Sequence, residues 1–134
     1  MLRYCFAAVF LLALAGCDTA EERAEEHYQS ALALLAEGDL ERATVEFRNV
    51  FELNGLHVDA QRSYAEALRA DGNLAQAFSQ FLRLAEQRPG DVPALLALAE
   101  MSIDTQSWQQ LQLHGGRLVE LVPAEMRAGE EGES

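Results

Sequence analysis

Residues 38–47 read GDLERATVEF and residues 72–81 read GNLAQAFSQF. Set one above the other, they agree at Gly38 and Gly72, Leu40 and Leu74, Ala43 and Ala77, and Phe47 and Phe81. The offset is 34 residues, and it extends outward: Ala65 aligns with Ala99, Pro89 with Pro123, and the leucine position continues to Trp108. Self-similarity at a fixed step of this length marks a repeat architecture, in which each unit buries its apolar face against its neighbours. Glycine followed by Asp39 or Asn73 supplies a positive-φ turn and then a capped helix start. Alanines at 31, 43, 65, 77 and 99 let helices pass closely, while Phe47 and Phe81 fill the space between units. Pro89 and Pro123 end helices, because proline lacks the donor a helix interior needs.

This step, with this set of small and aromatic positions, resembles the tetratricopeptide repeat (TPR). The resemblance implies an all-α solenoid of three helix-turn-helix repeats at 24–57, 58–91 and 92–125. Six helices are expected, over 21–36, 40–53, 58–70, 74–88, 92–104 and 107–121. The sequence departs from the pattern in places. His27, Gln61 and Leu95 stand where a tryptophan is expected, and Gly55 replaces the first closing proline. The third repeat lacks the turn glycine, has Leu111 for the small alanine and Gly115 for the phenylalanine. Glycine costs a helix about 1 kcal/mol relative to alanine, so Gly115-Gly116 is expected to loosen or break the last helix. The acidic residues 126–134 are expected to be a disordered tail, leaving the last apolar face without the polar cap a solenoid needs.

The other end carries a different signal. YCFAAVFLLALAG, residues 4–16, has no charge and is followed by Cys17. Thirteen residues fall short of the about 20 that cross a bilayer, but they suit the apolar core of a secretory signal. Leu14-Ala15-Gly16-Cys17 resembles the lipobox of bacterial lipoprotein signal peptides. That resemblance makes 1–16 a cleaved signal and Cys17 the lipidated first residue, its thiolate taking a diacylglyceryl group and its freed amine an acyl chain. Two or more chains, at about 0.8 kcal/mol per buried CH₂, anchor stably. No other cofactor is implied. Residues 17–23 then read as a polar tether, and Asp18 resembles the signal that keeps a lipoprotein in the inner membrane. The chain is expected on the periplasmic face of a bacterial cell membrane.

Composition narrows the partners. The formal charge is −12, all ten basic residues are arginine, and lysine is absent. A nucleic-acid binder needs a basic patch that releases counterions, so nucleic acid is excluded as a partner. Cys5 and Cys17 both precede the repeats, which leaves no disulfide framework and no metal pair in the body of the chain. His27, His57 and His114 are too scattered for a metal site. No nucleophile motif, phosphate loop or paired-carboxylate constellation appears, so no catalytic residue is assigned and the chain is read as non-catalytic.

The TPR resemblance implies a groove lined by the first helix of each repeat. Its positions are Glu25, Tyr28, Leu32 and Leu35, then Asp59, Arg62, Glu66 and Arg69, then Pro93, Leu96, Glu100 and Ile103. Tyr28, Leu32, Arg62, Glu66, Arg69 and Leu96 are the candidate partner-binding residues. Arg62, Glu66 and Arg69 share one helix face, and with the apolar strip beside them suit a helix or extended peptide bearing an acidic residue. Clamping of a C-terminal carboxylate, as in some TPR domains, is disfavoured by Tyr28, Leu32 and the lack of lysine. The expected function is an adaptor or assembly factor for a cell-envelope complex. The alternatives are self-assembly through the third repeat, an envelope ligand- or cell-wall-binding module, and a remnant of a longer TPR protein.

Overall fold

Thr19 opens the first helix with a reciprocal cap. Its hydroxyl accepts from the Glu22 N–H at 3.1 Å, and the Glu22 carboxylate accepts from the Thr19 N–H at 2.7 Å. Each pairing satisfies a donor that a helix start would leave open. In the computed structural model, which describes residues 19–121, six helices follow, with no strand among the described residues. They are α1 (Ala20–Ala36), α2 (Leu40–Leu53), α3 (Val58–Ala70), α4 (Leu74–Gln87), α5 (Val92–Asp104) and α6 (Trp108–Leu121). Each lies within one residue of its expected bounds. Ala20, expected in the tether, is already helical. Cys17, Asp18, the signal segment and the acidic tail lie outside the described residues.

The turns within the three hairpins share one hydrogen-bond pattern. Asp39 N–H reaches Leu34 O at 2.9 Å, Asn73 N–H reaches Leu68 O at 2.9 Å, and Ser107 N–H reaches Ser102 O at 2.8 Å. The pattern needs a left-handed residue just after the helix. Gly38 and Gly72 supply it at φ 79° and 83°. In the third repeat Gln106 adopts φ 55°, so the turn forms without glycine at a steric cost. The loops between repeats also match: His57 N–H reaches Asn54 O at 3.2 Å, and Asp91 N–H reaches Arg88 O at 2.9 Å. Gly55 therefore does the work of Pro89.

Caps differ from expectation at one place. Asp39, His57 and Asp91 each accept from a backbone N–H three residues on, at 2.9, 3.2 and 2.9 Å. Asn73, expected to cap α4, does not; its amide donates to Gln76 Oε1 at 3.1 Å instead.

The helices pack as three hairpins, α1 with α2, α3 with α4 and α5 with α6, with α4 against α5 and α2 against α3 at the joints. Ala31, Ala43, Ala65 and Ala77 are fully buried. Phe47 is buried at the first joint, its ring 5.0 Å from that of Tyr64 and 6.4 Å from that of Phe51. A second cluster gathers Phe81, Leu84, Leu95, Leu98 and Met101, and Tyr64 borders both clusters. Burying side chains of this size contributes about 1.5–3 kcal/mol each.

The expected break in the last helix does not occur. α6 runs unbroken through Gly115 and Gly116. Its buried His114 and half-buried Leu118, which packs on the second cluster, hold it against the core. Tertiary packing outweighs the glycine penalty, as it does for most helices in proteins.

Equivalent positions form a ladder of side-chain pairs, joined by hydrogen bonds in the first two hairpins. In the first repeat His27 Nδ1 meets Glu46 Oε2 at 2.6 Å, and in the second the Gln61 amide donates to Gln80 Oε1 at 2.6 Å. The third repeat has Leu95 and His114 at these positions, both fully buried. His114 Nε2 pairs with Gln110 Oε1 at 3.1 Å, and its Nδ1 has no partner among the described residues. Burial, with a smaller push from Arg117, holds the His114 imidazole below its ordinary pKa.

Candidate functional site

The first helix of each repeat turns one face to a common groove, and the chain's caps and ion pairs fix its shape. At the joint between repeats two and three, Arg62 on α3 grips Asp91 at the start of α5. Nη1 donates to Oδ1 at 3.1 Å and Nη2 to Oδ2 at 2.6 Å. Asp91 Oδ1 also accepts the Ala94 N–H, so one carboxylate caps α5 and ties it to α3. The Asp91 side chain is 6% exposed. Hydrogen bonding from Arg62 holds the Asp91 carboxyl below the usual carboxylate range against the opposing effect of burial, with help from the Ala94 N–H. The same bond raises the pKa of the Arg62 guanidinium. Two turns along, Arg69 Nη2 meets Glu100 Oε2 at 2.9 Å in a more exposed pair.

Four of the six candidate residues, Arg62, Glu66, Arg69 and Leu96, line one concavity of about 510 Å³, floored by Ala97 and edged by Pro93 and Glu100. Leu32 lies in a second depression of about 560 Å³ with Leu35, Ser63 and Glu66. Glu66 and Ala70 line both, forming the ridge between them. Leu96 is 48% exposed at the far wall. Tyr28 lines neither depression. It is half-buried, its hydroxyl 3.1 Å from Ser63 Oγ and its ring 4.9 Å from that of His57, so it braces the joint between repeats one and two.

The sequence pointed to Arg62 and Arg69 as contacts for an acidic residue of a ligand. Both are paired within the protein, while Glu66 enters no ion pair among the described residues. Asp91 escaped the sequence reading as a groove residue. Its role as a helix cap was legible from Asp91 standing just before Pro93, but its pairing with a residue 29 positions earlier was not. No helix among the described residues is long and apolar enough to cross a membrane.

Comparison with known proteins adds to this geometry. Residues 58–101, which span α3, α4 and most of α5, match the family model described as tetratricopeptide repeat. The fold is that of a TPR protein. A crystal structure of YrrB, described as a TPR protein with an unusual peptide-binding site, shares it at a TM-score of 0.62 and 20% identity. The match covers 84% of this chain and 58% of that one, so this chain spans a little over half the length of its structural relative. No curated protein matches the chain.

Proposed function

We propose that this TPR chain is a non-catalytic, lipid-anchored adaptor that offers its groove to a protein partner in the bacterial cell envelope. The observation that carries the reading is the pair of adjoining depressions across α1, α3 and α5, with Leu32 and Leu96 open on either side of Glu66. Open apolar positions beside charged ones are how helical and extended peptides are held, and the TPR fold is one used for binding proteins. The anchor rests on the Leu14-Ala15-Gly16-Cys17 motif after its apolar run, and the inner membrane as destination on Asp18.

A photo-crosslinking residue placed at Leu96 tests the groove in cells, with the same residue at Val45, exposed on α2, as control. Capture of one envelope protein from Leu96 and not from Val45 supports the reading. Equal capture from both positions sinks it. Cys17→Ser tests the anchor: the chain is expected to move from the membrane to the soluble fraction, and a wild-type chain of unlipidated mass would refute lipidation.

A second reading is favoured by α6, where Trp108 is 65% exposed and Leu113, Val119 and Leu121 are exposed with it. Such a surface suits stacking on another copy of the chain. Sedimentation of the purified chain decides: mass rising with concentration and restored to the monomer by Trp108→Glu supports self-assembly, and a monomer at all concentrations removes it.

A further inference from the structure

Resting on the groove reading above, the charges along the groove specify what kind of segment it takes. Arg62 is committed to Asp91 by two hydrogen bonds, and that carboxylate is almost wholly enclosed. An incoming acid that drew Arg62 away would strand a buried, unpaired charge, which is strongly disfavoured. Arg69 is already neutralised by Glu100. Glu66 makes no salt bridge among the described residues and feels the charge of Arg62, itself committed to Asp91, only as a field; it is exposed and stands on the ridge shared by both depressions. On one side of it lie Leu32 and Leu35, on the other Pro93 and Leu96. Asp59 lies about two helical turns before Glu66 on the same helix and is likewise exposed. The whole chain carries −12, so its field repels acidic segments and draws basic ones.

We propose that the groove takes a peptide segment with a basic side chain set between two apolar ones, the base on Glu66 and the apolar groups in the flanking depressions. This reverses the sign of ligand expected from the arginines alone. The basic group gives Glu66 a direct counter-ion, and the apolar groups cover Leu32 and Leu96. Electrostatic matching of this kind governs which partner is chosen more than how tightly it is held.

The test is selection of a displayed library of random dodecapeptides on the full-length chain, on Glu66→Gln and on Leu96→Asp. Both substitutions fall on exposed helix positions, and circular dichroism of each variant confirms the fold. Wild type is expected to enrich peptides carrying lysine or arginine together with leucine, isoleucine or phenylalanine. The enriched peptides are expected to bind Glu66→Gln about two- to five-fold more weakly, with the difference shrinking as salt is raised. Enrichment of acidic peptides, or unchanged binding to Glu66→Gln, overturns the proposed charge while leaving the groove. Enrichment that is the same on Leu96→Asp, or no enrichment on wild type, overturns the groove reading itself and this inference with it.

Discussion

Arg62 and Asp91 meet fork to fork across the joint of the second and third repeats, at 3.1 and 2.6 Å, and Asp91 caps α5 with the same carboxylate. Removing one partner leaves the other largely buried and unpaired. Arg62→Ala is expected to lower the free energy of unfolding by about 1–3 kcal/mol. Arg69→Ala, whose pair with Glu100 is far more exposed, is expected to cost less than about 1 kcal/mol. Urea denaturation of both variants measures the contrast, and equal losses would show that the Asp91 clamp is not special.

The same pair sets the acid limit. Asp91 is held below its ordinary value, so its contribution is present above the unfolded value of about 3.9. It is lost as pH falls below that and through the folded value. Asp91→Asn should therefore lose stability less steeply than wild type below about pH 4. Melting temperatures from pH 6 to pH 3 check this, with parallel curves as the contrary result.

Gln106 holds a left-handed turn that Gly38 and Gly72 hold in the other repeats. Gln106→Gly removes the clash of a side chain in that region and is expected to stabilise by about 0.5–1 kcal/mol, after the entropy glycine loses on folding. Gly72→Ala should do the reverse. Denaturation midpoints decide, and a destabilised Gln106→Gly would mean that the Gln106 side chain matters more than its backbone.

His114 is fully buried with Nδ1 unpartnered and its pKa depressed. The folded state favours the neutral ring, so this contribution is intact above the unfolded value of about 6.5. It is lost as pH falls from there through the folded value. His114→Leu removes the titrating group and the orphan atom together. Its Tm should change less than that of wild type between pH 7.5 and 5, and identical pH slopes would sink the prediction.

Phe47 is enclosed by Tyr28, Phe51 and Tyr64, which makes it the keystone of the first joint. Phe47→Ala is expected to cost about 3–5 kcal/mol, a large share of the about 5–15 kcal/mol that holds a domain together. Val45→Ala, two residues away and exposed, should change stability by no more than about 0.5 kcal/mol. Thermal unfolding followed by circular dichroism separates the two.

The fold was legible because its determinants are local or periodic. The glycine turns, the spacing of alanines and the cap at Asp39 all read directly along the chain. What escaped was set by distance in sequence. The Arg62–Asp91 and Arg69–Glu100 pairs span 29 and 31 positions and depend on how successive hairpins are offset. Leu96 and Glu66 line one concavity, yet nothing in the sequence told that Arg62 and Arg69 would be committed to Asp91 and Glu100. The unbroken α6 was missed for a related reason: local glycine propensity argues for a break, and the contacts that overrule it come from α5 and from Phe78 on α4.

The ladder joining the two helices of each hairpin bears on how the chain avoids folding wrongly. Hairpins this alike invite exchange, in which a helix docks on the wrong neighbour with its alanines and phenylalanines still satisfied. Yet the rungs differ in kind: imidazole with carboxylate at 27 and 46, amide with amide at 61 and 80, leucine with a buried histidine at 95 and 114. A swapped pairing would set Glu46 opposite Leu95, or Leu95 opposite Gln80, stranding a polar group against hydrocarbon. Exchange with the third hairpin is thus penalised, and the place of that hairpin in the array is protected by the same few residues that break the repeat's regularity.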